Sequence, residues 1–202
     1  MIQNQALPKL MTFNEFLDWK PENGHYELYK GMIVEIQPKR KHEEISGFLA
    51  VELAVFFRQT KLSYFLPKQV LVKVPNENSG YLPDVLVVDR NALQDEPLWE
   101  KSSTLTKGKS IPLVIEIVSS NWRDDYLTKL RDYEEICINE YWIVDYLGIG
   151  GYRYIGNPKQ PTISIYQLID DEYQVQHFRG NELIKSTTFP GLDLTSNQIF
   201  QG

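Results

Sequence analysis

The chain has 202 residues, of which 42% are hydrophobic and 24% are charged. This composition suits one folded domain over residues 1–202 and excludes a chain that is disordered throughout. A formal net charge of −6 argues against a protein that binds nucleic acid over its whole surface, because such binding depends on Lys and Arg.

Location can also be predicted from composition. The single Cys137 cannot form an internal disulfide, and no stretch reaches the roughly 20 apolar residues of a membrane span. The opening residues 1–10 lack the basic and then apolar pattern of a secretory signal. We therefore expect a cytoplasmic protein.

The first elements are a short helix and a hairpin. Thr12-Phe-Asn-Glu15 has the Ser/Thr-x-x-Glu form of a capping box, which predicts a helix over residues 12–20. Residues 25–36 then contain two short runs rich in Tyr, Ile and Val on either side of Lys30-Gly31. This pattern is typical of a β-hairpin.

A longer helix and two strands should follow. Residues 42–58 carry apolar side chains at helical spacing, at Ile45, Leu49, Leu53 and Phe56. Residues 64–74 and 83–89 are rich in β-forming residues and are separated by the turn-forming segment 76–80. We expect these two runs to be neighbouring antiparallel strands.

The second half of the chain begins with a long connection and a βαβ unit. Residues 90–110 have few apolar anchors and predict an irregular connection with at most one helical turn. Residues 111–120 form an almost unbroken apolar run, typical of a strand buried on both faces. A helix over 121–139, which Asn121 can cap, and a strand over 140–146 complete a unit whose two strands should be parallel.

The tail has β character throughout. We predict strands in four short segments, which are residues 152–155, 163–169, 173–178 and 192–194.

Three ionisable residues stand where folding alone would not place them. Asp84 opens a strand, Glu116 interrupts a buried strand, and Lys129 lies on the sheet-facing edge of the following helix. A buried carboxylate without a partner costs several kcal/mol, so Glu116 needs a cation or a hydrogen-bond network. A hard divalent ion such as Mg²⁺, shared with Asp84, meets that need, because Mg²⁺ binds one or two carboxylates together with substrate phosphates.

A purely structural alternative is open on these residues. An Asp at a strand start is commonly a turn or cap residue, and Glu116 can simply pair with Lys129 in a buried ion pair.

A set of motifs decides between these alternatives. The chain contains, in this order, YELYKG (26–31), His42-x-x-Ile45, YLPDVLVV (81–88), PLVIEIVSS (112–120), Asp125-x-x-x-Lys129 with Tyr133, and EYWIVD (140–145). This order resembles the Uma-two family of endonucleases, within the PD-(D/E)XK superfamily, over nearly the whole chain.

The resemblance implies a fold and a reaction. The fold is a restriction-endonuclease-like α/β core, a central mixed sheet flanked by helices, with an N-terminal hairpin and a β-rich C-terminal extension. The reaction is Mg²⁺- or Mn²⁺-dependent hydrolysis of DNA phosphodiesters, with Asp84, Glu116 and the main-chain carbonyl of Ile117 as metal ligands. Where the superfamily pattern has its lysine, two residues after the Glu, this chain has Val118. The resemblance therefore assigns the lysine role to Lys129.

Weaker candidates surround this set. His42 can orient a water or contact a phosphate, or it can have a hydrogen-bonding role only. Glu27 and Glu44 are candidates for an outer position around the metal, or they are ordinary hairpin and surface charges.

Binding surfaces can be predicted less sharply. Two basic runs, Lys39-Arg40-Lys41 and Lys101 with Lys107 and Lys109, form basic patches on an acidic body or are solvated loop charges. We expect a homodimer, for which the exposed edges of the β-rich tail and its aromatic residues are candidate contacts, or these aromatics only pack on the sheet. The aromatic residues are Tyr152, Tyr154, Tyr166 and Tyr173. The alternative to a nuclease is a catalytically inactive module of the same fold that binds nucleic acid or protein.

Overall fold

The computed structural model describes residues 10–21, 24–37, 40–75 and 78–202. Pro38 and Lys39, and most of the opening segment 1–10, lie outside the described residues. The helices are α1 Phe13–Trp19, α2 Arg40–Thr60, α3 Trp99–Ser102, α4 Leu130–Glu135, α5 Tyr152–Ile155 and α6 Ser196–Gln201. The strands are β1 Tyr26–Tyr29, β2 Met32–Glu35, β3 Tyr64–Phe65, β4 Leu71–Lys73, β5 Gly80–Tyr81, β6 Val85–Asp89, β7 Thr104–Leu105, β8 Leu113–Ile117, β9 Glu140–Asp145, β10 Thr162–Ile169 and β11 Glu172–Phe178.

Local sequence signals explain the N-terminal elements. The Thr12 side chain accepts a hydrogen bond from the Glu15 N–H, and the Glu15 carboxylate accepts one from the Thr12 N–H, so the predicted capping box opens α1. Strands β1 and β2 pair in an antiparallel hairpin. Lys30 (φ 49°) and Gly31 (φ 80°) both have positive φ at its turn, as a two-residue hairpin that matches strand twist requires.

The main sheet has the strand order β11-β10-β9-β8-β6-β3. Strands β8 and β9 run parallel, as the βαβ pattern predicts, and β6 runs antiparallel to β8. Every residue of β8 is buried, which confirms the prediction of a strand covered on both faces. This mixed sheet and its flanking helices confirm the predicted fold class.

Helix α2 covers one face of this sheet. Its side chains Ile45, Leu49 and Leu53 are fully buried against β6, β8 and β9 residues. Phe57 is more buried than Phe56, which was predicted to complete the apolar face.

A second, smaller sheet has the order β2-β1-β5-β4-β7. It corrects the prediction that residues 64–74 form one strand beside 83–89. Only β3 pairs with β6, while β4 pairs with β5 and β7 in the smaller sheet. Residues 66–70 between β3 and β4, which include Pro67, carry the chain from one sheet to the other.

Other predictions need correction in the connections and the tail. Residues 90–110 contain two 3₁₀ segments, Arg90–Asp95 and Gly108–Ser110, together with α3 and β7. Residues 152–155 form α5 and not a strand, and residues 192–194 form no strand. The strands predicted over 163–169 and 173–178 are present as β10 and β11.

None of the helices in the described part of the chain is long and apolar enough to cross a membrane.

Candidate active site

A cavity of about 190 Å³ opens where the hairpin, the start of α2, and the ends of β6 and β8 meet the helix that follows β8. Asp84, Glu116, Lys129, His42 and Ile117, all named as candidates from the sequence, line it together. The structure therefore brings these residues to one place.

Sheet register brings Asp84 and Glu116 together. In the antiparallel pair of β6 and β8, Val85 lies opposite Ile115. Continuing this register by one residue places Asp84 opposite Glu116, and residues opposite each other in a sheet project from the same face. Asp84 Oδ2 also accepts a hydrogen bond of 2.7 Å from the Ile117 N–H, which fixes its carboxylate at the end of β8.

Glu116 is the most enclosed acid of the cavity, with 2% of its surface exposed. Its Oε1 accepts a hydrogen bond of 2.7 Å from the Tyr133 hydroxyl and lies 3.1 Å from Lys129 Nζ. Burial raises the pKa of Glu116 well above its ordinary value, because the charged form loses its hydration.

Lys129 enters the cavity from a π-helical segment, Asp124–Lys129, that precedes α4. Such segments recur at functional sites, since the wider turn redirects side chains. Lys129 Nζ lies 3.2 Å from Glu27 Oε1 and 5.5 Å from the centre of the Tyr81 ring. Burial alone lowers the pKa of Lys129, but the surrounding carboxylates, Glu116 foremost, outweigh it and raise the pKa above its ordinary value. The ammonium form is thus the stable one.

His42 lies in the first turns of α2 and is directed at the same point. Its Nε2 is 3.0 Å from Asp84 Oδ2. Burial alone lowers the pKa of His42, but the hydrogen bond to Asp84 and the nearby acids raise it overall. The other ring nitrogen, Nδ1, is buried and has no hydrogen-bond partner among the described residues.

Of the two weaker acidic candidates, Glu27 lies in the cavity and Glu44 lies outside it. Glu27, on β1, lies in the cavity, and its Oε1 accepts a hydrogen bond from the Leu82 N–H as well as from Lys129. Glu44 lies on the surface of α2, where it pairs with Arg40 and Lys41, so it is not part of the site.

Sequence reasoning assigned no role to three further groups. Asp125 lines the cavity, and burial raises its pKa to about 7. Its spacing of four residues from Lys129 was a usable signal, because such residues share a helix face. Tyr133 and Tyr81 both belong to the sequence motifs, but their partners, Glu116 and Asp132, are set by packing between elements and could not be read from the motifs.

The cavity carries an excess of acid. Among the described residues that line it, the acids are Glu27, Asp84, Glu116, Asp124 and Asp125, and the basic groups are Lys129 and His42. Carboxylates that outnumber their basic partners in a partly buried site favour an added cation.

The donor set fits Mg²⁺ or Mn²⁺. In the described part of the chain, no three His, Cys, Asp or Glu side chains form a metal cage by themselves. Mg²⁺ does not need one, since it is commonly held by one or two carboxylates, waters and substrate phosphates. The hydrogen bonds and ion pairs that the described residues make to Asp84 end on Oδ2, and those to Glu116 end on Oε1. The second oxygen of each carboxylate is therefore left for a cation.

Comparison with known proteins gives a family match and a fold match. The sequence model of the Uma2 family, described as "Putative restriction endonuclease", matches residues 13–197. The chain belongs to the Uma2 family. Uma2 membership confirms the resemblance seen in the motifs and indicates a nuclease. The search of curated proteins found no match.

A solved structure shares the fold. The crystal structure of "a putative nuclease belonging to DUF820" from Anabaena variabilis ATCC 29413 superposes with a TM-score of 0.70, covering 95% of this chain and 98% of that one. The two sequences are 16% identical, so this likeness concerns the fold.

The lysine position of this Uma2 protein departs from the superfamily pattern. Val118 is fully buried in the apolar cluster on the face of the sheet that carries Glu116. Lys129 supplies the ammonium beside Glu116 instead, from the following helix.

Proposed function

We propose that this Uma2 protein is a metal-dependent endonuclease that hydrolyses phosphodiester bonds of DNA. What supports the proposal most is one observation: Asp84, Glu116 and Lys129, from two strands and a helix, converge in one cavity. That is the arrangement in which carboxylates hold a divalent cation and an ammonium faces the reacting water.

Each residue has a role in this proposal. Asp84, Glu116 and the main-chain oxygen of Ile117 hold Mg²⁺ or Mn²⁺, which supplies positive charge to the phosphate and lowers the pKa of a bound water. The Ile117 N–H points towards Asp84, and the N–H and C=O of one strand residue face the same edge, so its oxygen faces that side too. Lys129 orients the attacking water and donates a hydrogen bond to the phosphate. The Nδ1 atom of His42, which has no hydrogen-bond partner among the described residues and lies 3.9 Å from Glu43 Oε1, binds a water or a phosphate oxygen.

The test is cleavage of supercoiled plasmid and of linear DNA with Mg²⁺ or Mn²⁺. We expect Asp84→Asn, Glu116→Gln and Lys129→Met to lose at least about a hundredfold in rate, as is usual when a charged group that stabilises a transition state is removed. Glu44→Gln and Lys101→Met are the matched controls, because neither residue lines the cavity: Lys101 is exposed, and Glu44 is half-buried and pairs with Arg40 and Lys41. Full activity in the three site variants contradicts the site, and absence of cleavage by the wild type favours an inactive binding module.

We also propose a cytoplasmic homodimer. Within the part of the chain that the structure describes, β2 and β11 are edge strands, and they carry exposed apolar side chains, including Met32, Ile33 and Val175. Unpaired edges of this kind are sites of strand pairing between copies. Of the aromatic residues first considered for this contact, Tyr166 is buried in the core and is not available. Sedimentation velocity of the wild type, Ile33→Lys and Val175→Lys tests which edge is used.

A further inference from the structure

Beside the cavity lies a surface made of aromatic rings and cations, which we call the aromatic patch. Its rings are those of Trp122, Tyr152 and Tyr154, and each ring has a cation over its face. Arg123 lies 4.6 Å from the Trp122 ring centre, Arg153 lies 4.9 Å from that of Tyr154, and Lys159 lies 4.8 Å from that of Tyr152.

The patch is continuous with the cavity. Trp122 stands in the helix start between Asn121 and Asp124, which both line the cavity. The ring of Trp122 packs against the chain at Gly151, where an added Cβ would lie 2.9 Å from its Cη2 atom. Trp122 and Tyr154 are also in edge contact, with ring centres 6.2 Å apart. Helix α5 is thereby held at the edge of the candidate active site.

The segment that carries Tyr152, Arg153, Tyr154 and Lys159 has the opposite charge to the chain, whereas Trp122 and Arg123 are followed by Asp124 and Asp125. Residues 146–169 contain no Asp or Glu, although the chain as a whole carries a net charge of −6. The two basic runs predicted from the sequence are less suited to phosphate, because Arg40 and Lys41 pair with Glu44 and Lys109 pairs with Asp95. The cations of the aromatic patch face aromatic rings, and Lys159 Nζ also donates a hydrogen bond of 3.2 Å to the Ile149 carbonyl oxygen.

The exposure of the rings indicates what the patch can bind. Tyr152 has 63% of its surface exposed, and Trp122 and Tyr154 are partly exposed. A ring at the surface with a cation beside it offers a stacking face for a base and a contact for the adjoining phosphate. In a duplex the base faces are covered by neighbouring bases, so such rings are useful mainly to an unpaired strand.

We propose that the aromatic patch binds single-stranded nucleic acid and leads the strand into the cavity. Tyr152 stacks on an unpaired base, and Arg153 and Lys159 contact its backbone phosphates. The proposal rests on the proposed nuclease function, because the bound strand is a substrate only if the cavity cleaves it. The substrate class of the site is then single strands, or unpaired segments of a duplex.

Binding is measured without cleavage, by fluorescence anisotropy of a labelled oligothymidine and of a matched duplex in EDTA. We expect the single strand to bind more tightly than the duplex. Tyr152→Ala should weaken single-strand binding about fivefold to hundredfold, as for removal of one stacking side chain. Tyr152→Phe, which keeps the ring, should retain affinity. Arg153→Gln should reduce the slope of log affinity against log salt by about 0.7, the value for one phosphate contact on a single strand.

Lys61→Gln is the control for general charge, because Lys61 is exposed at the end of α2. The proposal is overturned if duplex and single strand bind equally, or if Tyr152→Ala binds like the wild type. It is also overturned if Tyr152→Ala instead dissociates a homodimer in sedimentation velocity. EDTA prevents any metal-dependent cleavage, so this assay measures binding alone. If the protein binds single strands through Tyr152 in EDTA but cleaves no DNA when Mg²⁺ or Mn²⁺ is supplied, the nuclease proposal is contradicted and the binding proposal is not.

Discussion

At the scale of single residues, Glu116 shows how a carboxylate is kept in a buried strand. It receives the Tyr133 hydroxyl and the Lys129 ammonium on one oxygen. Lys129 is in turn shared with Glu27. The acids and the amine thus form one network, in which each member stabilises the charge or hydrogen bond of the next.

Removal of the Tyr133 hydroxyl should therefore cost stability. Tyr133→Phe leaves the ring packing in place but deprives Glu116 of a hydrogen-bond donor, which costs about 1–3 kcal/mol in a buried site. The free energy of unfolding from urea titration measures the loss. Tyr152→Phe is the control, since Tyr152 is exposed, and an equal effect in both variants would show that the Glu116 hydrogen bond is not the cause.

Glu27→Gln tests the position of Lys129. The amide still accepts a hydrogen bond, but it no longer balances the Lys129 charge, and the ammonium is left to Glu116 and the other acids. We expect kcat for DNA cleavage to fall while the affinity for oligonucleotide in EDTA stays the same. A parallel loss of affinity would place Glu27 in substrate binding instead.

At the scale of elements, a glycine in the hairpin turn and a glycine in α2 should respond in opposite ways to substitution by alanine. Gly31 has φ 80° in the turn between β1 and β2, and an added Cβ would lie 3.0 Å from Met11 O. Gly47 lies in α2, where an added Cβ meets nothing within 4 Å. Gly31→Ala should destabilise the protein by at least about 1 kcal/mol, whereas Gly47→Ala should stabilise it by about 0.5–1 kcal/mol. Thermal unfolding of both variants checks the opposite signs, and equal shifts would contradict them.

The pairing of β10 with β11 carries a pH dependence. His177 Nδ1 lies 3.1 Å from Ser164 Oγ, and burial, together with the charge of Arg179, lowers the pKa of His177. An unfolded chain binds this proton at a pKa near the ordinary value of about 6.5, so stability falls as the pH drops below that value. The loss of stability reaches its full size once the pH is below the pKa of His177 in the folded protein. The unfolding free energy of His177→Gln should fall less than that of the wild type across this range, and identical curves would contradict the prediction.

Across the whole molecule, the strands that carry Asp84 and Glu116 could be predicted from the sequence, but the helices α5 and α6 were not. Asp84 and Glu116 were found because each is a charge in or beside a buried apolar run. Tyr152 to Ile155 was mistaken for a strand because alternating aromatics suggest one, whereas main-chain hydrogen bonds from Ile155 N–H to Gly151 O and from Gly156 N–H to Tyr152 O close it as a helical turn. Helix α6 was missed although Thr195 and Gln198 form a capping box that the sequence displays.

The short strands of the smaller sheet were the least predictable. Strands β4 and β5 have three and two residues, too few for a periodic pattern, and their pairing depends on contacts between distant segments. That sheet supplies Glu27 and Tyr81 to the cavity. The contacts that these residues make with Lys129 were therefore the part of the site that the sequence predicted least well.

The central claim is that Asp84 and Glu116 hold a divalent cation beside Lys129, and calorimetric titration of Mn²⁺ into the protein without DNA tests it most directly. We predict one Mn²⁺ site in the wild type and in Glu44→Gln, and its loss in Asp84→Asn and Glu116→Gln, with all four proteins folded by circular dichroism. Unchanged Mn²⁺ binding in both site variants, or no binding by the wild type, would contradict the account.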